Sequence, residues 1–256
     1  MNVGEIDLSL LGPALVAGLL VIATHVPLGR RVLQRGIIFL DLAIAQIAGF
    51  GLIVAHSFSW EPGDWQVQLV AMSAAVIGVL CLNYTDKHWP QIQEAIIGSL
   101  FILASSGSIL LLASNPQAGE QLRELLVGQI LWVGYDQIIP VAILYSVILF
   151  IWFVFSERIS TLAFYLIFAI SITASVQLVG VYLVFSSLIF PALAIRNYSN
   201  NAILTGYLIG GAGYASGLVM ATVLDLPAGA MIVYCLALSV ILFMFYRKFI
   251  KRVKPF

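Results

Sequence analysis

A carboxylate, an amide and an imidazole stand inside otherwise apolar stretches of this sequence. Asp41 lies about two turns into the apolar stretch 36–57, and Gln46 follows five residues later. His25 lies toward the end of the preceding apolar stretch, 10–29. In a helix that crosses a bilayer, a charge at the centre costs ~2.5–3.5 kcal/mol even on insertion scales, so such residues usually mark a pathway for ions or protons.

Asp41 is therefore the candidate ligand for a metal cation or a proton. His25 approaches the same depth on the neighbouring stretch and is a conceivable partner, whereas Gln46 lies on an adjacent face of the Asp41 helix. The alternative interpretation is structural, with the Asp41 carboxylate bonding Arg35 or capping a helix end.

No arrangement of residues in the sequence indicates an enzyme. Three scattered histidines and two cysteines, Cys81 and Cys235, form no Cys/His cluster of the kind that holds a structural metal. No lysine follows a glycine, so the phosphate loop G-x-x-x-x-G-K-[ST] is absent. We expect no catalytic activity and no permanently bound cofactor, and any ATP hydrolysis has to come from another chain.

The composition identifies the medium in which these residues act. Of 256 residues, 61% are hydrophobic and only 9% are charged, against ~45–50% apolar and ~25% charged in soluble domains. This excludes a soluble globule, a disordered chain and a disulfide scaffold. We predict an all-α integral membrane protein that crosses the bilayer several times, with 1–256 as a single transmembrane domain.

A bilayer core needs about 20 apolar helical residues per crossing. Seven stretches are close to one span, whereas 161–196 is far too long for a single crossing and is interrupted by Gln177 and Gly180. Reading it as two short helices predicts nine transmembrane helices: 10–29, 36–57, 66–84, 95–113, 137–155, 161–178, 180–196, 202–222 and 228–246.

The distribution of basic residues supports nine spans. With nine, all of the 12 Lys and Arg residues except Arg123 fall on one side of the membrane, as the positive-inside rule requires. This places the amino terminus outside and the carboxy terminus inside. The basic run at 247–254 is then an anchor for lipid headgroups, and we expect no nucleic acid partner.

Three further segments carry structural expectations. The stretch 121–133 is amphipathic and too short to span, which predicts an interfacial helix between spans four and five. The functional alternative is an external or re-entrant helix that caps a pathway. Five glycines in the eighth span predict close helix packing. Pro191 interrupts the hydrogen bonding of the seventh span, and we expect the hydroxyls of Ser186 and Ser187 to compensate that turn partly.

Four segments, in order, resemble motifs of the membrane subunits of zinc/manganese/iron-uptake ABC transporters, the metal-permease family. The resemblance runs through nearly the whole chain. The segments are Pro27-Leu28-Gly29 with Phe39-Leu40-Asp41, then Leu126-Val127-Gly128-Gln129-Ile130-Leu131, then Val179-Gly180-Val181 with Phe190-Pro191-Ala192, and finally Asp225-Leu226-Pro227-Ala228-Gly229.

The resemblance implies the type II ABC importer fold in a bacterial cytoplasmic membrane. It further implies a second permease copy (identical or not), two cytosolic ATPase subunits and an external metal-binding protein. The transported species is then a divalent metal ion or a metal chelate, with Asp41, Gln46, His25, Gln129 and Pro191 as the candidate residues along its pathway.

Three departures from the family pattern leave an alternative open. The intramembrane histidine that follows the family's Asp is Ala45 here, and the Asp of the second motif is Gln129. The cytosolic connection 156–160 is too short for the helix that docks the ATPase in the family. Coupling to the ATPase then has to pass through Asn83–Glu94 or through a partner permease. The candidate contacts with the ATPase are Asp86, Lys87, Glu94, Glu157 and Arg158. The alternative is a divergent accessory or non-transporting subunit that lacks normal ATPase coupling.

Overall fold

The computed structural model describes residues 8–56, 65–112, 126–155, 158–198 and 201–253. These residues form helices and short connections, with no β-strand in the described ranges. The helices are α1 (Leu8–Arg35), α2 (Leu40–His56), α3 (Trp65–His88), α4 (Gln93–Leu112), α5 (Tyr135–Phe155), α6 (Thr161–Val179), α7 (Val181–Ile195), α8 (Ala202–Leu224) and α9 (Ala228–Val253). Two 3-10 turns, Pro90–Ile92 and Ile130–Trp132, precede α4 and α5.

Each predicted span corresponds to one of these helices. By length and apolar composition, seven described helices are able to cross a membrane, and Leu40–Ala55 and Val181–Ile195 are shorter apolar helices. The division of 161–196 into two helices is confirmed, and the break falls on Gly180, whose φ of 81 is in the left-handed region that favours glycine. Which terminus faces the cytosol stays a prediction.

The predicted interfacial helix 121–133 lies partly outside the described residues. Its described portion includes Gly128, with φ of 71, and the turn Ile130–Trp132. No extended helix is described over 126–133, because the glycine turn separates the first two of these residues from the 3-10 turn.

The chain divides into two compact units. The first consists of α1, the segment Val127–Ile143 and the chain from Leu178 onward. The second runs from Gly36 to Leu126 and from Leu144 to Gln177, so it contains α2, α3, α4, the end of α5 and nearly all of α6.

Glycines bring the helices of the first unit together. α1 packs against α7 and α8, and α9 packs against both of them. A Cβ atom at Gly18 would overlap the ring of Tyr214, and one at Gly210 would lie 2.5 Å from a methyl group of Ile22. The glycines of α8 therefore allow the close backbone approach that drives helix association in lipid, as the sequence predicts.

In the second unit, α2 packs against α3 and α4. Gly78 of α3 approaches the side chain of Ile47, and Gly107 of α4 approaches the ring of Phe50. Since α2 has close neighbours on two helices, its polar residues are removed from lipid and water.

Candidate functional site

Asp41 is buried at the start of α2. The expected position two turns inside the span is wrong, because the helix begins at Leu40 and not at residue 36. Gly36, with φ of 73, directly follows α1, and the Leu40 amide donates to the carbonyl of Ile37 at 3.2 Å. Asp41 is the second residue of the helix, close to the positive end of its dipole, which favours a carboxylate. Only 1% of the residue is exposed, and neither carboxylate oxygen has a hydrogen-bond partner among the described residues.

This burial is energetically unfavourable by itself. A buried polar group without a hydrogen bond costs about 1–3 kcal/mol, and more if it is charged. The interaction with the N-terminal helix dipole stabilises the carboxylate by only about 0.3–1 kcal/mol. A side chain that destabilises the fold in this way is a candidate for function.

The rest of α2 supplies one further buried polar group. Gln46 is 4% exposed and Ala45 is 1% exposed. Because alanine stands where the resembling family has histidine, no imidazole of α2 is available beside Asp41. A cation held at this place would meet oxygen atoms of α2, which suit harder ions better than nitrogen or sulfur ligands do.

Glu94 of α4 reaches the same end of α2. One carboxylate oxygen accepts a hydrogen bond from the Phe39 amide at 3.4 Å, and the other is buried without a partner in the described chain. Phe39 directly precedes α2, so Glu94 satisfies one of the amides that a helix leaves open at its start. Two carboxylates therefore lie near the first turn of α2.

A buried hydrogen-bond network holds the α3–α4 connection. The Thr85 hydroxyl lies 2.9 Å from the Gln93 side-chain oxygen, and the Gln93 amide nitrogen donates to the carbonyl of Leu82 at 2.9 Å. Asn83, 8% exposed, has its side-chain oxygen buried with no partner among the residues described. The sequence does not predict this buried network, although Asn83, Thr85 and Gln93 all flank an apolar run.

The candidate ATPase contacts differ in their exposure. Lys87 and Arg158 are exposed and Asp86 is half-buried, which suits a contact with another chain. Glu94 instead turns one oxygen toward α2. Glu157 lies outside the described residues.

His25 belongs to the first unit. It is fully buried in α1, and its Nδ1 lies 2.8 Å from the carbonyl oxygen of Val21. A carbonyl only accepts hydrogen bonds, so Nδ1 carries the hydrogen in this contact. Since Asp41 lies in the second unit, a pair between the two stays a prediction.

Pro191 is buried in the interior of α7, which continues to Ile195. The expected compensation by the two serines is wrong. The Ser186 hydroxyl donates to the carbonyl of Tyr182 at 2.7 Å, and the Ser187 hydroxyl donates to Leu183 at 2.6 Å, because both side chains point back along the helix. Ser187 also lies 2.8 Å from the Tyr214 hydroxyl, which joins α7 to α8.

Gln129 is exposed and sits between Gly128 and the turn Ile130–Trp132. It belongs to the first unit, as Pro191 does. The structure thus brings Asp41, Gln46 and Glu94 into one unit, and His25, Gln129 and Pro191 into the other.

In the described ranges, no three His, Cys, Asp or Glu side chains come together in a way that could hold a metal ion.

Comparisons with known proteins agree with this architecture. Residues 7–164 and 155–247 match the model of a protein family described as the ABC 3 transport family. A protein of Chlamydia muridarum, named "Probable metal transport system membrane protein", is 22% identical over 237 residues, which is 80% of this chain and 81% of the relative.

Two solved structures share the fold. The first is PsaBC from Streptococcus pneumoniae in complex with Fab, with a TM-score of 0.74, 19% identity, and coverage of 93% of this chain and 91% of that chain. The second is a transporter described as of the metal-chelate ABC type in an inward-facing conformation, with a TM-score of 0.67, 15% identity, and coverage of 96% and 91%.

Proposed function

Because this chain belongs to the ABC 3 transport family, we propose that it is the permease subunit of an ABC importer for a divalent metal ion (zinc, manganese or iron) or a metal chelate. The names of the Chlamydia relative and of the metal-chelate transporter support a metal as the cargo. The predicted orientation places the basic carboxy terminus in the cytosol of a bacterium, and the chain in its cytoplasmic membrane.

The observation that carries this proposal is the Asp41 carboxylate. It is buried in a helix of a membrane protein and has no hydrogen-bond partner in the described residues. Charged groups in this setting are expensive and are usually retained for transport. Asp41 is the residue that contacts the cation, and Gln46 lies on the same helix. His25 stays a separate candidate for the pathway.

ATP hydrolysis belongs to a separate cytosolic subunit, since the sequence has no phosphate loop. A second permease copy completes the membrane part, and an external metal-binding protein delivers the cargo. The exposed residues Lys87 and Arg158 and the half-buried Asp86 provide the contact with the ATPase.

A second candidate function is an accessory subunit without normal ATPase coupling. The short connection 156–160 and the alanine at position 45 favour it. Such a subunit would keep the permease fold and would need neither a charge at position 41 nor a stable ATPase partner.

One experiment separates the two functions. The full chain is purified in mild detergent and its partners are identified by mass spectrometry, while cells carrying it are assayed for uptake of radiolabelled zinc, manganese and iron. We expect an ATPase with a phosphate loop to co-purify, and we expect Asp41→Ala to abolish uptake at an unchanged protein level.

Asp136→Asn is the matched control, because Asp136 is also the second residue of a helix but is exposed. It should leave uptake unchanged. Absence of an ATPase together with a neutral Asp41→Asn would favour the accessory subunit and refute the importer.

A further inference from the structure

Basic side chains gather at one end of the first unit. They are Arg30 and Arg31 of α1, Arg196 at the end of α7, and Arg247 and Lys248 of α9. We call these five residues the basic layer. None of them forms an ion pair with a residue that the structure describes. The sequence predicts only that the run 247–254 contacts lipid headgroups, and the structure adds residues of two other helices to it.

The contact between α1 and α7 brings their basic residues to one level. A Cβ atom at Gly29 would lie 3.1 Å from the Cβ of Ala192. Arg30 directly follows Gly29, and Arg196 follows Ala192 by four residues. Residues four apart lie one above the other on a helix. The arginines of α1 and α7 therefore lie within about one helical turn of the same contact.

Arg247 is fixed by the residues that follow α7. Its Nη2 atom donates to the carbonyl oxygen of Asn197 at 3.4 Å, and its guanidinium carbon lies 5.0 Å from the centre of the Tyr198 ring. The Tyr198 ring also packs against Phe243, with ring centres 6.3 Å apart. A cation over an aromatic face is attracted by the ring. The charge of Arg247 is thus held at the chain segment that begins with Arg196.

The acidic residues of the first unit lie at its other end. In the part of this unit that the structure describes, they are Asp136 and Asp225. Asp225 caps the far end of α8, and Asp136 follows Tyr135, whose hydroxyl lies 3.7 Å from a Cβ atom placed at Gly12 near the start of α1. The two ends of α8 are about 30 Å apart, well beyond the screening length of about 8 Å in physiological salt. No described acid of this unit therefore neutralises the basic layer.

Exposed apolar side chains precede the basic layer on the same helices. Leu193 is 38% exposed and stands three residues before Arg196, and Met244 is 41% exposed and stands four residues before Lys248. These spacings place each pair on one face of its helix. A charge at the end of an exposed apolar face matches a phosphate that carries acyl chains, whereas a soluble protein would meet only the end of the unit.

We propose that the basic layer is a binding site for the headgroup of an anionic phospholipid. Arg196 and Arg247 bind its phosphate, and Tyr198 is the positioning residue that holds Arg247. A guanidinium group suits this role because its planar N–H donors match phosphate oxygens in pairs. The inference does not depend on the transported cargo, since it requires only that the helices of the first unit lie in a membrane.

The test is native mass spectrometry of the full chain in mild detergent, titrated with phosphatidylglycerol or with phosphatidylcholine of the same acyl chains. Both lipids carry a phosphodiester, but only phosphatidylglycerol has a net negative charge. We expect the first phosphatidylglycerol to bind about 10-fold more tightly or better, and this preference to shrink at high salt. Equal binding of the two lipids at low salt would overturn the proposal.

Substitutions locate the site. Arg196→Gln and Arg247→Gln should each weaken binding of phosphatidylglycerol about 5-fold, the contribution of one charge near an anionic surface, and should leave binding of phosphatidylcholine unchanged. Tyr198→Leu should weaken it about 2- to 5-fold through loss of the ring, whereas Tyr198→Phe keeps the ring and should bind as the wild type does. Arg158→Gln is the matched control, because Arg158 is an exposed arginine of the second unit.

Two results would identify a different ligand. Displacement of bound phosphatidylglycerol by an equal concentration of inorganic phosphate would show a site for free phosphate and overturn the lipid assignment. Wild-type lipid binding in Arg196→Gln and Arg247→Gln, together with loss of a co-purifying ATPase, would show a contact between proteins and overturn it as well. Arg196 is exposed, so Arg196→Gln decides the matter alone if Arg247→Gln does not fold.

Discussion

Asp41→Asn should stabilise the protein while it removes transport. The substitution keeps the shape of the side chain and removes its charge. The residue is 1% exposed, and both carboxylate oxygens lack a partner in the described part of the chain. The asparagine amide is also polar and buried, so the substitution relieves only the additional cost of the charge, about 1–3 kcal/mol. The lost interaction with the N-terminal dipole of α2 subtracts about 0.3–1 kcal/mol from this gain. The free energy of unfolding should therefore rise by at most about 2.7 kcal/mol, and by about 1–2 kcal/mol in the middle of these ranges.

For a chain of this size, such a gain corresponds to a rise in Tm of about 2–8 °C. The assay is a thermal melt of the detergent-solubilised complex, followed by size-exclusion chromatography with fluorescence detection. Asp136→Asn is measured beside it. That residue occupies the same position in α5 but is exposed, so it loses the dipole interaction without any gain, and its Tm should fall slightly.

A fall in Tm for Asp41→Asn would refute the reasoning. It would mean that the carboxylate has a stabilising partner, and Asp41 would then be a structural residue rather than one kept for its cargo. An unchanged Tm together with lost uptake would retain the functional role but contradict the calculated cost of burial.

Two further substitutions test the packing around the site. Glu94→Ala should lower Tm by about 1–8 °C, since it removes a cap worth about 0.5–2 kcal/mol from the start of α2. Lys87→Ala is the control and should not change Tm, because Lys87 is exposed. A Glu94→Ala protein with normal Tm and less bound ATPase would instead show that Glu94 contacts the ATPase. Gly18→Ala should lower the free energy of unfolding by about 1–3 kcal/mol in thermal melts, because the added methyl group overlaps the Tyr214 ring. Gly98→Ala is the control and should raise the free energy of unfolding by about 0.5–1 kcal/mol through helix propensity. Equal melting temperatures for the two variants would show that α1 and α8 are not in close contact.

Much of the fold can be predicted from the sequence, because a membrane restricts the secondary structures that a chain can form within it. Helices must satisfy their own backbone groups in lipid, so the lengths of the apolar stretches indicate the helices directly. The break in 161–196 was also predictable, since glycine in a long apolar run interrupts a helix at low steric cost. In the case of Gly180, the expected position and the observed one agree.

The surroundings of the candidate residues were less accessible to prediction. Asp41 was identified because a carboxylate is rare in an apolar run, but the approach of Glu94 to the start of α2 was not, since that contact joins two helices. For the same reason, the sequence does not predict the contact between the backbones of Gly128 and Gly180. Gly128 and Gly180 lie far apart in the chain, and a glycine shows its need for space in a sequence without showing which group occupies that space.

The network of Thr85 and Gln93 also fixes how many residues the α3–α4 connection can contain. Most surface connections tolerate insertions. Here, one residue added or removed between Lys87 and Gln93 would turn Gln93 by about 100° around the α4 axis and take its amide away from Leu82. Variation in this region should therefore occur by exchange of side chains, with its length conserved.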